Sequence, residues 1–251
     1  MNILTCVPST IDALKNSNTL NSENIKNLEH IFFCGETLLK SQVKLLFKTN
    51  PKLIITNAYG PTEATVSCTY LRLTKKNYKK FTKSETSIGM PINGMKLHLV
   101  NNKKITKQRG EIYIQGPQVS QGYLNFDSKK KFIKRKNIYK TGDYASFLDG
   151  NLYFDGRKDN QIKINGYRVE MEEIEKNCKK IFLIDNCICI YKKKKIFMFL
   201  KIKKKISINT IKLKLGKILP QYMIPSDIIF IKKFPLNFNG KIDRKKLYNS
   251  I

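Results

Sequence analysis

The chain has 251 residues, of which 41% are hydrophobic and 10% aromatic, and it carries a formal net charge of +29. This composition is ordinary for a folded protein and argues against wholesale disorder. No apolar run approaches the roughly 20 residues that a membrane-spanning helix needs, and the first residues show no pattern of a secretory signal. We therefore expect a cytoplasmic protein without a membrane span.

The first sixty residues alternate between strand-like and helix-like segments. Apolar runs predict three strands, and helical spacing of apolar residues predicts two helices between them, the first capped by Ser9 and Thr10. In chain order these are a strand over Ile3–Val7, a helix through Leu14, a strand over Leu28–Phe33, a helix over 37–49 and a strand over Leu53–Thr56. Strands that alternate with helices, without hairpin turns, are typical of a parallel α/β layer.

The character of the sequence changes twice after these segments. Residues 66–157 contain short apolar runs separated by Gly and Asn-Gly, which predicts an antiparallel segment that is mostly β. A smaller α+β unit follows, and we place the boundary near Lys158 and Asp159, which gives domains 1–157 and 158–251. The smaller unit is predicted to contain a strand over Gln161–Ile164, a helix from about Val169 to Cys178, strands near 181–191 and 196–202, a helix near 207–218 and a strand over Ile228–Ile231.

The distribution of the lysines argues against a specific nucleic-acid site, and the spacing of the cysteines argues against a zinc site or a disulfide framework. Lysines are spread over most of the chain, and the runs at 192–195 and 203–205 are interpreted as solvated ends of strands or loops. We therefore expect unselective attraction to polyanions and no specific nucleic-acid site. The six cysteines include no CxxC pair and the chain has two histidines, so neither a zinc site nor a disulfide framework is predicted.

A segment with several chemical groups follows the third predicted strand. Residues 57–65, Asn-Ala-Tyr-Gly-Pro-Thr-Glu-Ala-Thr, place an aromatic ring, a Gly-Pro turn, a hydroxyl and a carboxylate at the carboxyl end of a strand, the edge at which open α/β sheets bind ligands. Tyr59 is suited to stacking on a base, Thr62 to bonding a phosphate and Glu63 to holding Mg²⁺. The segment is equally compatible with a tight turn capped by Thr62.

Three further segments place polar groups at predicted turns. Residues 139–143, Tyr-Lys-Thr-Gly-Asp, end in a carboxylate that could accept both hydroxyls of a ribose, although the pattern is also that of an ordinary hairpin turn. Residues 156–170 run from Gly156-Arg157 to Arg168-Val169-Glu170. Near the end, Asn239-Gly240-Lys241 by itself predicts a type I′ turn followed by a solvated lysine.

In this order and spacing, the four segments resemble the adenylate-forming (AMP-binding) superfamily. Further matches lie at 110–116, 119–124 and 170–175, so the resemblance spans essentially the whole chain. The resemblance implies a remnant of the large adenylate-forming domain, in which a parallel α/β layer is joined by a small antiparallel β segment. It also implies a small, mobile α+β domain after it, carrying a catalytic lysine.

The resemblance assigns roles to particular residues. It implies ATP and Mg²⁺ as cofactors, with Asp143 on the ribose, Glu63 on the metal, Lys241 as the catalytic residue and Asp159 as a hinge. A cation is needed because the attack of a carboxylate on the α-phosphate brings two anions together. The implied nucleotide-binding residues are Asn57, Ala58, Tyr59, Gly60, Pro61, Thr62, Asp143, Phe154, Asp155, Gly156, Arg157 and Lys241.

Within the superfamily, the segments are most similar to enzymes that activate D-alanine for lipoteichoic acid modification of the cell wall. This implies a substrate pocket with Cys34, Val66 and Lys241, in which the cysteine would narrow the pocket. It further implies transfer of D-alanine to the phosphopantetheine thiol of an acidic carrier protein. Two alternatives remain open: an adenylation domain of a peptide synthetase for another amino acid, and a non-catalytic basic binding protein.

The chain departs from the superfamily in one respect. A Ser/Thr/Gly-rich phosphate loop and an acidic residue for the substrate's amino group, which the large amino-terminal region would carry, do not occur here. The resemblance is therefore to a carboxy-terminal portion. It implies either a split enzyme with a separate amino-terminal fragment as partner or a decayed remnant, and weak or no activity of the chain alone.

Overall fold

The computed structural model describes residues 2–125, 127, 129–157, 161–182, 186–202 and 206–251. The chain divides into two compact units, Met1–Asp159 and Asn160–Ile251. No helix in these described ranges is long and apolar enough to cross a membrane.

The first unit begins with a five-stranded mixed sheet in which the strands follow one another in chain order. Its strands are β1 (Ile3–Cys6), β2 (His30–Phe33), β3 (Ile54–Tyr59), β4 (Thr69–Leu73) and β5 (Met90–Pro91), and its helices are α1 (Ser9–Asn16), α2 (Lys40–Thr49) and α3 (Tyr78–Phe81). Strands β1, β2 and β3 are parallel, whereas β4 and β5 pair antiparallel. The predicted parallel α/β layer is therefore confirmed for the first three strands.

Two local predictions in this sheet were wrong. Helix α1 is preceded by Pro8 and has no side-chain cap; instead, the Ser9 amide donates to the Glu36 carboxylate at 2.9 Å, which is a favourable charge at a helix amino terminus. Strand β3 does not end at Thr56 but continues through Tyr59. Asn57, Ala58 and Tyr59 are therefore part of the strand, and the turn begins at Gly60.

The second sheet of this unit is entirely antiparallel, as predicted. It contains β6 (Lys96–Asn101), β7 (Lys104–Thr106), β8 (Arg109–Gln115), β9 (Phe132–Ile133), β10 (Ile138–Leu148) and β11 (Asn151–Arg157). The strand order is β11-β10-β8-β6-β7, with β9 also paired to β10. Residues 139–143 do not form a hairpin turn, because they lie inside the 11-residue strand β10, where the register with β8 shifts between Lys140 and Tyr144.

The second unit is a smaller α+β structure. It contains β12 (Gln161–Ile164), β13 (Tyr167–Glu170), α4 (Met171–Phe182), β14 (Cys187–Lys192), β15 (Lys195–Leu200), α5 (Ile208–Gly216), β16 (Asp227–Phe230) and α6 (Arg244–Asn249). The sequence patterns missed β13 and α6. Glu172 and Glu173 occupy the first turn of α4, where negative charge stabilises a helix.

The core of the second unit lies between its helices and its three-stranded sheet. Buried side chains of α4, α5 and the sheet form one cluster, including Ile174, Met198, Leu200 and Leu215. Cys178, Cys187 and Cys189 belong to this cluster as free thiols. The apolar periodicity that predicted these elements is therefore the pattern that builds the core.

Candidate functional site

The residues at the end of β3 are joined to a distant residue of the second sheet. The Tyr59 hydroxyl donates a hydrogen bond of 2.6 Å to Asp143 Oδ2, across 84 positions of sequence. Burial of the phenol and the neighbouring negative charge of Asp143 both raise the pKa of Tyr59 well above its usual value, so Tyr59 stays a donor at physiological pH. Two of the four predicted segments therefore meet in one place.

The Asp143 carboxylate is held from two sides. Its Oδ1 accepts a hydrogen bond from Arg157, and the side chains of this ion pair are 15% and 9% exposed. Arg157 Nη2 also donates to the Thr141 carbonyl oxygen at 3.2 Å. Since both partners are largely removed from water, the pair depends on these additional hydrogen bonds to offset desolvation.

A glycine turn inside β10 points Asp143 into this network. Gly142 has φ of +77°, and its amide donates to Glu111 Oε1 at 3.1 Å. The Asp143 amide donates to Thr141 Oγ1 at 2.9 Å. A left-handed residue in the middle of a strand is the backbone feature that glycine allows at little cost, and here it re-aims the carboxylate as β-bulges commonly do.

Glu63 is buried in the short 3-10 turn Thr62–Ala64. The Tyr123 hydroxyl donates to its Oε1, and the Ser120 amide donates to its main-chain oxygen at 2.8 Å. No group of three or more His, Cys, Asp or Glu that could hold a metal occurs in the described ranges. A single carboxylate fits Mg²⁺, which commonly takes one or two protein carboxylates and completes its octahedron with phosphate oxygens and water.

The turn from Gly60 to Cys68 is tightly closed. A Cβ at Gly60 would lie 2.6 Å from the Val66 oxygen, so only glycine fits there. Thr65 and Val66 have φ of +54° and +68°, which is an unfavourable conformation for β-branched residues. Cys34 Sγ donates to the Val66 oxygen at 3.4 Å, so the two residues predicted to line a substrate pocket are neighbours.

The remaining residues of the 57–62 segment occupy different environments. Asn57 is 3% exposed and donates through Nδ2 to the Ser87 oxygen at 2.9 Å. Its Oδ1 is buried without a hydrogen-bond partner in the described part of the chain. Ala58 is buried, Pro61 is partly buried and Thr62 is exposed.

Phe154, Asp155 and Gly156 line a cleft of about 670 Å³ in the first unit. Thr37, Lys83, Glu85 and Arg109 are also among the lining residues. Asp155 accepts hydrogen bonds from Arg109 Nε at 3.1 Å and from Ser146. Burial, followed by the negative charge of Asp155, raises the pKa of Glu85. Asp155 therefore belongs to a different polar cluster from Asp143.

Lys241 lies in the second unit, on an exposed loop between Phe234 and α6. Asn237 organises the loop, because its Oδ1 accepts from the amides of Asn239 and Lys241 at 3.0 Å each. Gly240 has φ of +70°, whereas Asn239 has no positive φ. The predicted type I′ turn, which needs two consecutive left-handed residues, was therefore wrong.

A partly buried ion pair lies at the base of this loop. Arg244 Nη2 donates to both oxygens of Glu175, at 2.8 and 3.0 Å, and Nη1 donates to the Cys189 oxygen at 3.0 Å. Glu175 is 6% exposed and also accepts from the Cys189 amide at 2.8 Å. Because Arg244 follows Lys241 by three residues, this pair ties the loop to α4 and β14.

Sequence reasoning missed Glu111, Tyr123 and Thr141 as partners of the site. Glu111 and Tyr123 lie in segments already matched to the superfamily, and Thr141 lies in the 139–143 segment. The motifs therefore included these residues but did not indicate which side chains they contact. The predicted hinge residue Asp159 lies outside the described residues.

Comparison with solved structures gives the fold. By fold, the chain matches adenylate-forming domains. It superposes on the Vibrio cholerae adenylation domain AlmE, solved in complex with glycyl-adenosine-5′-phosphate, with a TM-score of 0.84 and 22% identity, covering 100% of this chain and 50% of that one. A Bacillus subtilis o-succinylbenzoate CoA synthetase gives a TM-score of 0.83 at 18% identity, covering 99% and 51%.

Sequence comparison gives the family. Residues 1–124 match the family model described as AMP-binding enzyme. Proteins named D-alanine–D-alanyl carrier protein ligase are 36% identical in Listeria monocytogenes, covering 100% of this chain and 52% of the relative, and 35% identical in Staphylococcus haemolyticus, covering 92% and 49%. The chain belongs to the AMP-binding enzyme family. It spans about half the length of these relatives, and the matches give no support to the expectation that this is their carboxy-terminal half.

Proposed function

We propose that this chain forms part of an AMP-forming ligase that activates D-alanine with ATP and passes it to a carrier protein. The observation that carries the proposal is the bond from Tyr59 to Asp143, which joins the 57–63 segment to the Asp143–Arg157 pair. Support for the substrate comes from relatives named D-alanine–D-alanyl carrier protein ligase. The location in the cytoplasm and the link to lipoteichoic acid stay predictions.

The proposed reaction has two steps. A carboxylate oxygen of D-alanine attacks the α-phosphorus of ATP, and the bond to pyrophosphate breaks, which leaves D-alanyl-AMP. The phosphopantetheine sulfur of the carrier then attacks the acyl carbon, loses its proton and releases AMP. A lysine-rich second unit suits an acidic carrier through electrostatic steering.

Asp143 is suited to hold the ribose. Each carboxylate oxygen already accepts one hydrogen bond, from Tyr59 or Arg157, and each oxygen has a further acceptor site. Two ribose hydroxyls can therefore bind without displacing either protein partner. The buried Oδ1 of Asn57 provides an acceptor of the kind that an adenine amino group needs.

We assign to Glu63 and Lys241 the stabilisation of the negative charges in the reaction. Glu63 would hold Mg²⁺, which would offset the charge of the phosphates. Lys241, exposed on its loop, would donate to the carboxylate of D-alanine and to the α-phosphate, where charge develops. Thr62 would donate to a phosphate oxygen. The hinge role of Asp159 belongs to the same proposal.

The Cys34–Val66 contact is assigned to the amino-acid pocket. Cys34 Sγ donates a hydrogen bond to the main-chain oxygen of Val66. Val66 has a left-handed backbone conformation and is 61% exposed. The proposed pocket places the Cys34 thiol and the Val66 side chain where they would accept a methyl group and exclude larger groups. The proposed discrimination is therefore against amino acids larger than alanine.

Pyrophosphate exchange tests the proposal. The chain should be assayed with ATP, Mg²⁺ and D-alanine, alone and together with the segment of the Listeria monocytogenes relative that it does not match. We expect weak or no exchange alone, because the chain spans about half of the relatives, and D-alanine-dependent exchange in the mixture. Exchange that prefers a larger L-amino acid would favour a peptide-synthetase adenylation domain.

The charge of +29 supports a second candidate, a basic binding protein in which the motifs have no catalytic use. Thermal unfolding at physiological salt distinguishes the two functions. Stabilisation by ATP with Mg²⁺ supports the ligase, whereas stabilisation by a short DNA duplex, lost with added salt, supports the binding protein.

A further inference from the structure

The loop of residues 118–124 is bonded to the turn that carries Glu63. The Thr65 hydroxyl donates to a main-chain oxygen at the start of this loop at 3.0 Å, and the Ser120 amide donates to the main-chain oxygen of Glu63 at 2.8 Å. The Tyr123 hydroxyl donates to Oε1 of the Glu63 carboxylate, across 60 positions of sequence. The loop therefore holds both the main chain of the turn and its carboxylate.

Aromatic packing fixes the ring of Tyr123. It meets Phe132 edge-on, with ring centroids 5.4 Å apart, and Phe132 in turn lies 4.9 Å from Tyr139. Phe132 and Tyr139 are 4% and 1% exposed, so Tyr123 rests on a packed core. Burial is the largest cause that raises the pKa of Tyr139, and hydrogen bonds to Tyr123 and Glu63 add to it. A second phenol therefore stands beside the carboxylate and keeps its proton at physiological pH.

The orientation of the Glu63 carboxylate matters for the metal that it is proposed to hold. A carboxylate has about four lone-pair sites, and it presents the same one to a metal only if it cannot rotate. Mg²⁺ demands near-ideal octahedral geometry. Groups that hydrogen-bond to a metal ligand therefore affect metal affinity, typically by about 10–100-fold when they are removed.

We propose that Tyr123 is a positioning residue for the metal, whose hydroxyl holds the Glu63 carboxylate in one orientation toward Mg²⁺. This inference rests on the proposed function, because it needs ATP and Mg²⁺ at this site. Tyr123 is 37% exposed, whereas Glu63 is 5% exposed. A hydroxyl near the surface thus controls a buried carboxylate.

Metal-dependent binding of ATP tests the proposal without catalysis. The dissociation constant of ATP from the chain is measured by isothermal titration with Mg²⁺ and again with a chelator, and the ratio of the two constants gives the contribution of the metal. Tyr123→Phe should lower this ratio about tenfold and leave the affinity for ATP without metal unchanged. A purely structural loss would lower both affinities, so this result distinguishes a positioning role from a structural one.

Tyr78→Phe is the matched control, because it removes a tyrosine hydroxyl from α3, where the ring packs on Phe47 at 5.2 Å. It should keep the ratio of the parent chain, whereas Glu63→Gln should abolish most of the metal contribution. Circular dichroism of each variant shows whether it is folded, and Tyr123→Phe keeps the ring that packs on Phe132. An affinity of the parent that does not respond to Mg²⁺, an unchanged ratio in Tyr123→Phe, or an equal loss in Tyr78→Phe would overturn the proposal.

Failure of this inference and failure of the proposed function give different results. Pyrophosphate exchange is measured against Mg²⁺ concentration in the mixture of the chain with the unmatched segment of the relative. D-Alanine-dependent exchange whose Mg²⁺ requirement is the same in Tyr123→Phe would remove Tyr123 from the site and keep the reaction. The expected loss of metal-dependent ATP binding in Tyr123→Phe, without exchange in the mixture, would remove the reaction and keep Tyr123 as a positioning residue.

Discussion

The two units each contain an arginine paired with a buried carboxylate, and the pairs serve different purposes. In the first unit, Arg157 binds Asp143, and the carboxylate is itself the residue assigned to the ligand. In the second unit, Arg244 binds Glu175, and the residue assigned to the chemistry, Lys241, lies three positions away on an exposed loop. The first pair directly fixes a carboxylate that we propose to bind the ribose, whereas the second fixes the base of the segment that carries the proposed catalytic lysine.

This difference has a consequence for function and stability. Asp143 is 6% exposed and bonded on both oxygens, so it is held in place, and its loss should affect folding as well as the proposed binding of ribose. Lys241 is held only through the main chain of its loop in the described contacts, so its loss should leave folding intact. Four variants test this comparison.

Asp143→Ala should have the largest effect on stability. Removing one partner of a buried pair leaves Arg157 uncompensated and costs about 3–5 kcal/mol of unfolding free energy. Denaturant unfolding of the chain measures this. The matched control is Glu23→Ala, because the Glu23–Lys26 pair is on the surface, with side chains 77% and 58% exposed, and should cost no more than about 1 kcal/mol. Equal costs for both would contradict the assignment of a buried network.

Lys241→Ala should separate chemistry from folding. In a ligase assembled with the unmatched segment of the relative, we expect adenylate formation to fall about 10²–10³-fold, as when one donor to a developing charge is removed. Unfolding of the chain should be unchanged, and transfer from preformed D-alanyl-AMP should continue. Pyrophosphate exchange and a thioester assay measure the two steps. Adenylation that survives the substitution would remove Lys241 from the mechanism.

Glu175→Gln should lower both the free energy of unfolding and the rate of adenylation, each by less than the two preceding variants. The amide would place N–H groups against the donors of Arg244, with a loss of about 1.5–3 kcal/mol for hydrogen bonds to a charged group. Because Arg244 anchors the Lys241 loop, adenylation should decline while the affinity for ATP stays the same. Denaturant unfolding measures the change in stability, and steady-state kinetics measure kcat and KM for ATP separately. A change in KM alone would argue against a positioning role.

Tyr59→Phe should have the smallest effect. It removes the 2.6 Å hydrogen bond to Asp143 and keeps the ring, and Arg157 still binds the carboxylate, so we expect a loss of about 1 kcal/mol. Titration with ATP and denaturant unfolding of the chain measure it. Tyr78→Phe is a suitable control, because Tyr78 packs its ring on Phe47 at 5.2 Å. A loss as large as that of Asp143→Ala would mean that Tyr59 supports the network more than Arg157 does.

Sequence patterns predicted the elements whose apolar residues face a core within the same unit. The parallel strands β1 to β3, helix α4 and strands β14 to β16 follow from periodicity and turn residues, because each period is set by local backbone geometry. Strand β13 and helix α6 were not predicted. Helix α6 has a single buried residue, Leu247, so it carries almost no periodic signal.

The sequence by itself determined the order of the motifs, the parallel layer and the residue types of the candidate site, since these depend on neighbours along the chain. Only the tertiary structure decided that Tyr59 meets Asp143, that Tyr123 meets Glu63 and that Cys34 meets Val66. It also decided that Asp143 lies at a bulge inside a strand rather than in a hairpin turn. These outcomes depend on strand register and on contacts between residues far apart in sequence, which local patterns do not encode.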